Sequence, residues 1–340
     1  MVTVTSVDYE IVVNPLQALE ELFSDKIHQV NQLLYKSAYS KVSTLPLISS
    51  HIIGSGGKRI RPLLTLAAAQ LCGYTNGDRD VHMAACIEFL HTATLLHDDV
   101  VDESLLRRGE PTAHTIWGNQ MSVLTGDFLF VKLFGLLVQD GCLDVLKLFV
   151  KTTQTIIEGE VLQINARTSS TLKREDYFAI IEAKTAVLFG AALELGGMVA
   201  KATPYQMVAL QNYANNIGVA FQLIDDTLDY TSEQPVLGKP IGNDFFEGQI
   251  TLPLLILLEK LNSKSQLLSE VQSILQNVEK DVTDFKRIQG LIYEYDVVSS
   301  IYREAESLSE KARKALDVFP SSFLKEVLLQ LTYFVVNRCN

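Results

Sequence analysis

The pattern D-D-x-x-D occurs twice in this chain, in LLHDDVVDE from Leu95 to Glu103 and in QLIDDTLDY from Gln222 to Tyr230. Each follows an apolar stretch with helical spacing. In a helix, residues four apart share a face, so Asp98 and Asp102 project together while Asp99 lies about 100° around the axis. Asp225, Asp229 and Asp226 repeat the arrangement. Carboxylates crowded on a short apolar segment repel one another and resist ionisation unless cations sit among them. Hard oxygen ligands favour Mg²⁺, which keeps several waters and binds one or two carboxylates together with phosphate oxygens. Two such clusters facing each other would clamp a diphosphate from both sides. One copy of the pattern is often no more than a solvated helix end; two copies, each behind an apolar helical run, favour the metal reading.

Cationic groups stand where anion chemistry needs them. GSGGKRIRP puts Lys58, Arg59 and Arg61 in a Gly-rich loop just ahead of a helix, where free backbone N–H groups already attract anions. LLRRGEP places Arg107 and Arg108 shortly after the first acidic cluster, and guanidinium forks suit phosphate oxygens. His91 precedes Asp98 by seven residues, two helical turns, and so shares its face. Singly these are ordinary surface charges and a structural histidine. Together with the acidic pairs they describe a site for two diphosphates, one held through metals and one through cations.

The elements that must position these groups read as helices almost throughout. Apolar residues recur at three- and four-residue intervals from Leu16, and PLLTLAAAQLCG from Pro62 opens on Pro and stops at Gly. Further helices are expected over Val81–Glu103, Met121–Val138, Leu143–Asn165, Arg174–Ala200, Pro204–Tyr230 and Leu252–Leu261, with several between Leu267 and Asn337. No stretch alternates with period two, and no Pro- or Ser-rich linker divides the 340 residues, so one all-α domain over residues 1–340 is expected. The more polar region after Leu261 is expected to pack helices against the core.

Composition excludes several classes. A net charge of -11 argues against general nucleic-acid binding. FLFVKLFGLLV and VLFGAALELGGMVA are interrupted by Lys132 and Glu194, so no membrane-spanning segment is expected. The opening MVTVTSVDYEIVV lacks the basic region of a signal peptide and the arginines of a transit peptide, and a cytoplasmic location is expected. Cys72, Cys86, Cys142 and Cys339 are scattered without a C-x-x-C pair, which suggests neither a zinc site nor a disulfide framework.

GGKRIRP, HTATLLHDDVVDESLLRRG, EAKTA, FQLIDDTLDY and GKPIGNDFFEGQITLP, in that order, resemble the successive motifs of the trans-isoprenyl (polyprenyl) diphosphate synthases. The resemblance covers about Gly54 to Pro253 and implies a single helical bundle around a deep apolar cavity, normally as a homodimer. It also implies Mg²⁺ on Asp98, Asp99 and Asp102, with Asp225 completing the cluster from the opposite helix. Asp226 and Asp229 belong to the same second motif, Asp229 acting through water or a lysine. Arg107, Lys184 and Lys239 would contact the allylic diphosphate, and Lys58, Arg61, His91 and Arg108 the diphosphate of isopentenyl diphosphate. Thr185 and Gln222 would steady the developing allylic cation. One departure stands out: where the family usually has lysine in E-G-K-x-T-L-P, this chain has Gln249.

Product length should depend on what lies below the clamp. Ala93 and Thr94, a turn before Asp98, are small, where short-chain members of the family often carry aromatic residues, and the wording around HTATLLHDDVVDESLLRRG is most similar to bacterial octaprenyl and decaprenyl diphosphate synthases of ubiquinone synthesis. A shorter product, a terpene cyclase, a non-catalytic subunit of a heteromeric synthase and a metal phosphohydrolase built on His97-Asp98 are the rival readings. Transient membrane contact during product release is a further expectation.

Overall fold

Asn14 starts the first helix: its side-chain oxygen accepts from the N–H groups of Leu16 and Gln17 at 3.1 and 3.2 Å, and Pro15 sits where no amide hydrogen is needed. The computed structural model describes residues 14–167, 172–232, 241–261, 265–277 and 279–337. Helices α1 (Pro15–Leu22), α2 (Ser24–Ser37) and α3 (Thr44–Gly54) lead into α4 (Ile60–Leu71) and α5 (Arg79–Val101). A short hairpin, β1 (Leu106–Arg107) and β2 (Glu110–Pro111), precedes α6 (Ala113–Trp117), α7 (Asn119–Asp140) and α8 (Leu143–Arg167). Then come α9 (Arg174–Ile181), α10 (Val187–Ala200), α11 (Pro204–Thr231), α12 (Asn243–Phe246) and α13 (Leu252–Leu261), followed by α14 (Ser265–Gln276), α15 (Val282–Glu294), α16 (Val297–Ala315) and α17 (Phe323–Asn337).

The interior is built from α4, α5, α10 and α11. In α4 every residue from Pro62 to Ala69 is buried, and in α10 nine of fourteen are, so neither helix shows a polar stripe that would face water. α10 packs on α4 and α11, α5 packs on α4 and α7, and α16 covers α11 from the C-terminal side. α17 lies on α16 and α1, so the polar last third of the chain does pack on the core. One cluster of buried apolar residues runs from Leu16 to Val336.

Two local departures from the expected helices matter for the site. Arg174–Ala200 is not one regular helix: Glu182–Ala186, the EAKTA segment, widens into a π turn between α9 and α10. Such an insertion of one residue changes the rotational phase of everything after it. Glycines let two helices close on this turn. A Cβ at Gly159 of α8 would stand 2.7 Å from the Ala183 Cβ, and one at Gly218 of α11 would stand 2.8 Å from the Ala186 Cα.

The second departure is the hairpin, which period-two patterning could not reveal because each strand is two residues long. Its turn residues, Arg108 and Gly109, both have positive φ, at 54° and 82°. α7 runs two residues beyond the expected Met121–Val138 at each end. With its ends at Asn119 and Asp140 it is long and apolar enough to cross a membrane by length and composition, although Lys132 lies within it. Its Leu129, Leu133 and Leu137 are buried, and it packs on α5.

Candidate active site

α5 ends at the first acidic motif. The N–H of Ser104 donates to the Asp99 carbonyl at 3.0 Å and that of Glu103 to the Val100 carbonyl at 3.4 Å, with Glu103 at φ 52°. These are the paired bonds of a Schellman cap, so Asp102 is the capping residue and keeps the helical phase of Asp98. Asp99 points the other way. It is fully buried and takes a two-pronged contact from the Arg107 guanidinium, Nη2 to Oδ1 at 2.6 Å and Nε to Oδ2 at 3.0 Å. The hairpin's function in the fold is thus to bring Arg107 back over the end of α5.

The second motif lies inside α11, which continues to Thr231. Asp226 is buried; it accepts from the Tyr177 hydroxyl at 2.6 Å and from Gln222 Nε2 at 2.6 Å. The Gln222 carbonyl accepts from Thr185 at 2.8 Å. Asp229 accepts from the backbone N–H groups of Asn243 and Asp244, both at 3.0 Å, and so anchors the segment that carries Glu247 and Gln249. The resemblance implies that Asp229 acts through water or a lysine; in the structure its carboxylate also holds the start of α12 through two backbone N–H groups.

Both motifs face two adjoining cavities. The larger, about 390 Å³, receives Asp98, Asp225 and Asp229, with Arg61, His91, Arg107 and Arg108 on one side and Leu95, Ile156, Leu188, Phe221 and Leu228 below. The smaller, about 230 Å³, receives Asp102, Asp225 and Asp226. Arg107, Lys184, Thr185 and Gln222 border both. Thr94 lines the larger cavity, whereas Ala93 is fully buried and does not. Lys58 lines neither; its ammonium stands 5.8 Å from the Phe334 ring centroid. Lys239 lies outside the described residues.

The cations divide into structural and available ones. Arg59, in a left-handed conformation at φ 44°, pairs with Glu88 at 2.5 Å and donates to the Ile53 carbonyl at 2.6 Å, which fixes the Gly-rich loop onto α5. Arg61 Nη1 contacts His91 Nε2 at 3.0 Å. A guanidinium can only donate, so that ring nitrogen accepts and the imidazole is neutral. Burial first, then Arg61, Arg107 and Arg108, hold the His91 pKa well below its usual value. Burial also lowers Arg61 to about 10, and its Nε is a buried donor without a partner among the described residues. An anion in the larger cavity would supply the missing acceptor.

The acidic side has the complementary deficit. Burial, followed by repulsion from Glu160 and Asp102, raises the Asp98 pKa to about 7. Burial likewise pushes Asp226 up to about 7, against the lowering effect of its bonds from Tyr177 and Gln222. Among the described residues no three acidic, histidine or cysteine side chains converge on one metal position. Mg²⁺ takes one or two carboxylates and completes its shell with water and phosphate, and the carboxylates bordering the two cavities are of that kind. The arrangement can therefore hold two anionic groups over an apolar base with a divalent cation between carboxylates. Sequence reasoning passed over Glu160, Gln163 and Tyr177, although the G-E-x-x-Q run of polar groups at Gly159–Gln163 beside a glycine was a readable signal.

Comparison with known proteins follows the same lines. The polyprenyl synthetase family model matches residues 42–292. The chain is 39% identical over 309 residues to the all-trans-nonaprenyl-diphosphate synthase (geranyl-diphosphate specific) of Rhodobacter capsulatus, covering 91% of this chain and 94% of that protein. It is 37% identical over 326 residues to the octaprenyl diphosphate synthase of Escherichia coli, covering 95% and 99%. Its structure superposes with a TM-score of 0.91, at 40% identity, on a polyprenyl synthase of Caulobacter crescentus complexed with calcium and isoprenyl diphosphate, covering 97% and 100%.

Proposed function

For a chain that belongs to the polyprenyl synthetase family and is a prenyltransferase of its long-chain branch, we propose sequential head-to-tail condensation of isopentenyl diphosphate onto an allylic diphosphate, to octaprenyl or decaprenyl length for a ubiquinone side chain. The observation that carries this reading is the convergence of both acidic motifs and four cations on adjoining cavities with an apolar base. Asp98, Asp102 and Asp225 are the proposed ligands of Mg²⁺, which when bound supplies positive charge for a leaving diphosphate. The related Caulobacter enzyme, which holds calcium with its isoprenyl diphosphate, supports a divalent cation here.

The protein's own groups account for the remaining steps. Lys184 and Arg107, with Lys239, bind the allylic diphosphate; Arg61, Arg108 and a neutral His91, with Lys58, bind that of isopentenyl diphosphate. The allylic C–O bond breaks with its electron pair on the diphosphate. The alkene of isopentenyl diphosphate attacks the cation, and the proton lost in restoring a double bond passes to the released pyrophosphate. The Thr185 hydroxyl and the Gln222 carbonyl, linked at 2.8 Å, present oxygen dipoles to the developing positive charge. Apolar walls at Leu95, Leu188 and Phe221 exclude water that would quench it.

Exposed apolar side chains on α7 and α8, among them Leu124, Val131, Val138, Val150 and Ile157, support a homodimer through these helices. The continuous core supports a single domain. Cys72, Cys86 and Cys142, all free thiols, agree with a reducing cytoplasm. The test is incubation with farnesyl diphosphate, isopentenyl diphosphate and Mg²⁺, followed by mass spectrometry. Octaprenyl or decaprenyl diphosphate is expected; a cyclised hydrocarbon, free phosphate or unchanged substrates would refute the reading.

A further inference from the structure

Gln249 occupies the position where the sequence resemblance leads one to expect a phosphate-binding lysine, and its contacts show a different use of the site. Its Oε1 accepts from Gln163 Nε2 at 2.8 Å, and its Nε2 donates to Glu247 Oε2 at 2.6 Å. The Gln163 carbonyl oxygen accepts from the Lys184 ammonium, which also pairs with Glu160 at 2.7 Å. Lys184 borders both cavities, so its position sets where a positive charge meets an anion bound in either.

The direction of this relay is dictated one link at a time. An ammonium has three donors and no acceptor, so Gln163 must turn its carbonyl to Lys184. Its NH₂ then faces position 249, which must supply an acceptor. Gln249 does so with its carbonyl, and its own NH₂ finds an acceptor in the Glu247 carboxylate. A lysine at 249 has no acceptor to give. It would meet the Gln163 NH₂ donor to donor, or draw the Gln163 carbonyl away from Lys184. The close approach of α8 to the π turn at Gly159 keeps Gln163 and Lys184 on facing sides, so the relay depends on elements rather than on a free loop.

We infer that Gln249 is a positioning residue: acting through Gln163, it fixes the Lys184 ammonium at the junction of the two cavities, so that one oriented cation serves where the resemblance suggests two. The inference rests on the proposed binding of an allylic diphosphate at Lys184.

Farnesyl diphosphate with Mg²⁺ and without isopentenyl diphosphate permits a binding titration with no turnover. In calorimetry, Q249M and Q163M are each expected to weaken binding roughly 3- to 10-fold, the loss of one hydrogen bond's orienting effect, and Q249M/Q163M to be no weaker than the poorer single variant. In a K184M background neither change should weaken binding further. Q249H at pH 8, whose neutral ring offers one acceptor and one donor, should stay within about twofold of wild type and guards against a fold defect in Q249M. Steady-state kinetics should show the allylic KM raised by Q249M with kcat changed less than about twofold, a split that general loss of structure would not give. Additive losses in the double variant, losses that persist without Lys184, a Q249H defect equal to that of Q249M, or tighter binding by Q249K irrespective of Gln163 would each overturn the relay. Failure of the wild-type protein to bind farnesyl diphosphate would instead overturn the proposed function.

Discussion

The two D-D-x-x-D segments share their spelling and differ in what the fold asks of each carboxylate. On α5 the middle residue, Asp99, is tied to a cation, Arg107, while Asp98 borders the larger cavity and Asp102, the capping residue, the smaller. On α11 the middle residue, Asp226, is tied to neutral donors, Tyr177 and Gln222, and the last, Asp229, to the backbone of α12. Of that second trio only Asp225 borders both cavities. Spacing alone predicts two equivalent jaws. The difference shows that a repeated motif sets which residues share a face, while capping and neighbouring donors decide which cavity each carboxylate borders and what holds it.

That contrast can be broken at its strongest point first. Asp98→Ala and Asp225→Ala should each lower turnover by ~10²-fold or more, measured with farnesyl and isopentenyl diphosphates at saturating Mg²⁺. Near-normal rates for either would remove that carboxylate from the clamp.

The middle residues should separate next, in stability rather than rate. Asp99→Asn leaves a largely buried guanidinium without its counter-charge and should cost about 3–5 kcal/mol. Asp226→Asn removes a charge that burial already disfavours, so its cost in a urea unfolding curve should be clearly smaller. Equal losses would mean that the two middle carboxylates are not held differently.

Below the clamp the expected effect is on product rather than rate or fold. Thr94 faces the larger cavity and Ala93 is packed within the core, so Thr94→Phe should shorten the product while condensation continues. Ala93→Phe should chiefly cost about 1–3 kcal/mol by overpacking. Product mass and melting temperature of the two variants decide between them; a shortened product from Ala93→Phe alone would reverse the assignment.

The smallest effect is a slope. The His91 pKa is lowered in the folded protein, so as pH falls through about 6.5 the unfolded chain takes up a proton that the folded one refuses. Stability contributed by neutral His91 is present above that pH and declines below it. The urea midpoint of wild type should therefore fall more steeply between pH 6.5 and 5 than that of His91→Gln, and parallel slopes would sink this reading.

Much of this arrangement was legible because helices and charges leave strong local traces. The Pro and Gly around Pro62–Gly73 marked a helix within a few residues of its ends, and the seven-residue step from His91 to Asp98 placed both on one side of α5. The hidden parts are those decided by partners distant in sequence. Nothing near Asp99 says that Arg107 will fold back onto it, since that depends on a two-residue turn at Arg108 and Gly109. Nothing near Arg59 distinguishes it from Lys58 or Arg61, because its distinguishing partner, Glu88, is on another helix. Ala93 and Thr94 are both small, and only the crossing of neighbouring helices puts one in the cavity and the other out of reach.

The widened turn at Glu182–Ala186 has a consequence for how the chain tolerates change in length. Because it adds a residue to the winding, the part before it and the part after it keep separate angular alignments, one presenting Tyr177 to the second motif and the other burying Leu188 and Phe189 in the core. Loss or gain of one residue inside the five would rotate one side by about 100° against its partners, so this short segment, which also carries Lys184 and Thr185 to the cavities, is a place where the number of residues is fixed as firmly as their identity.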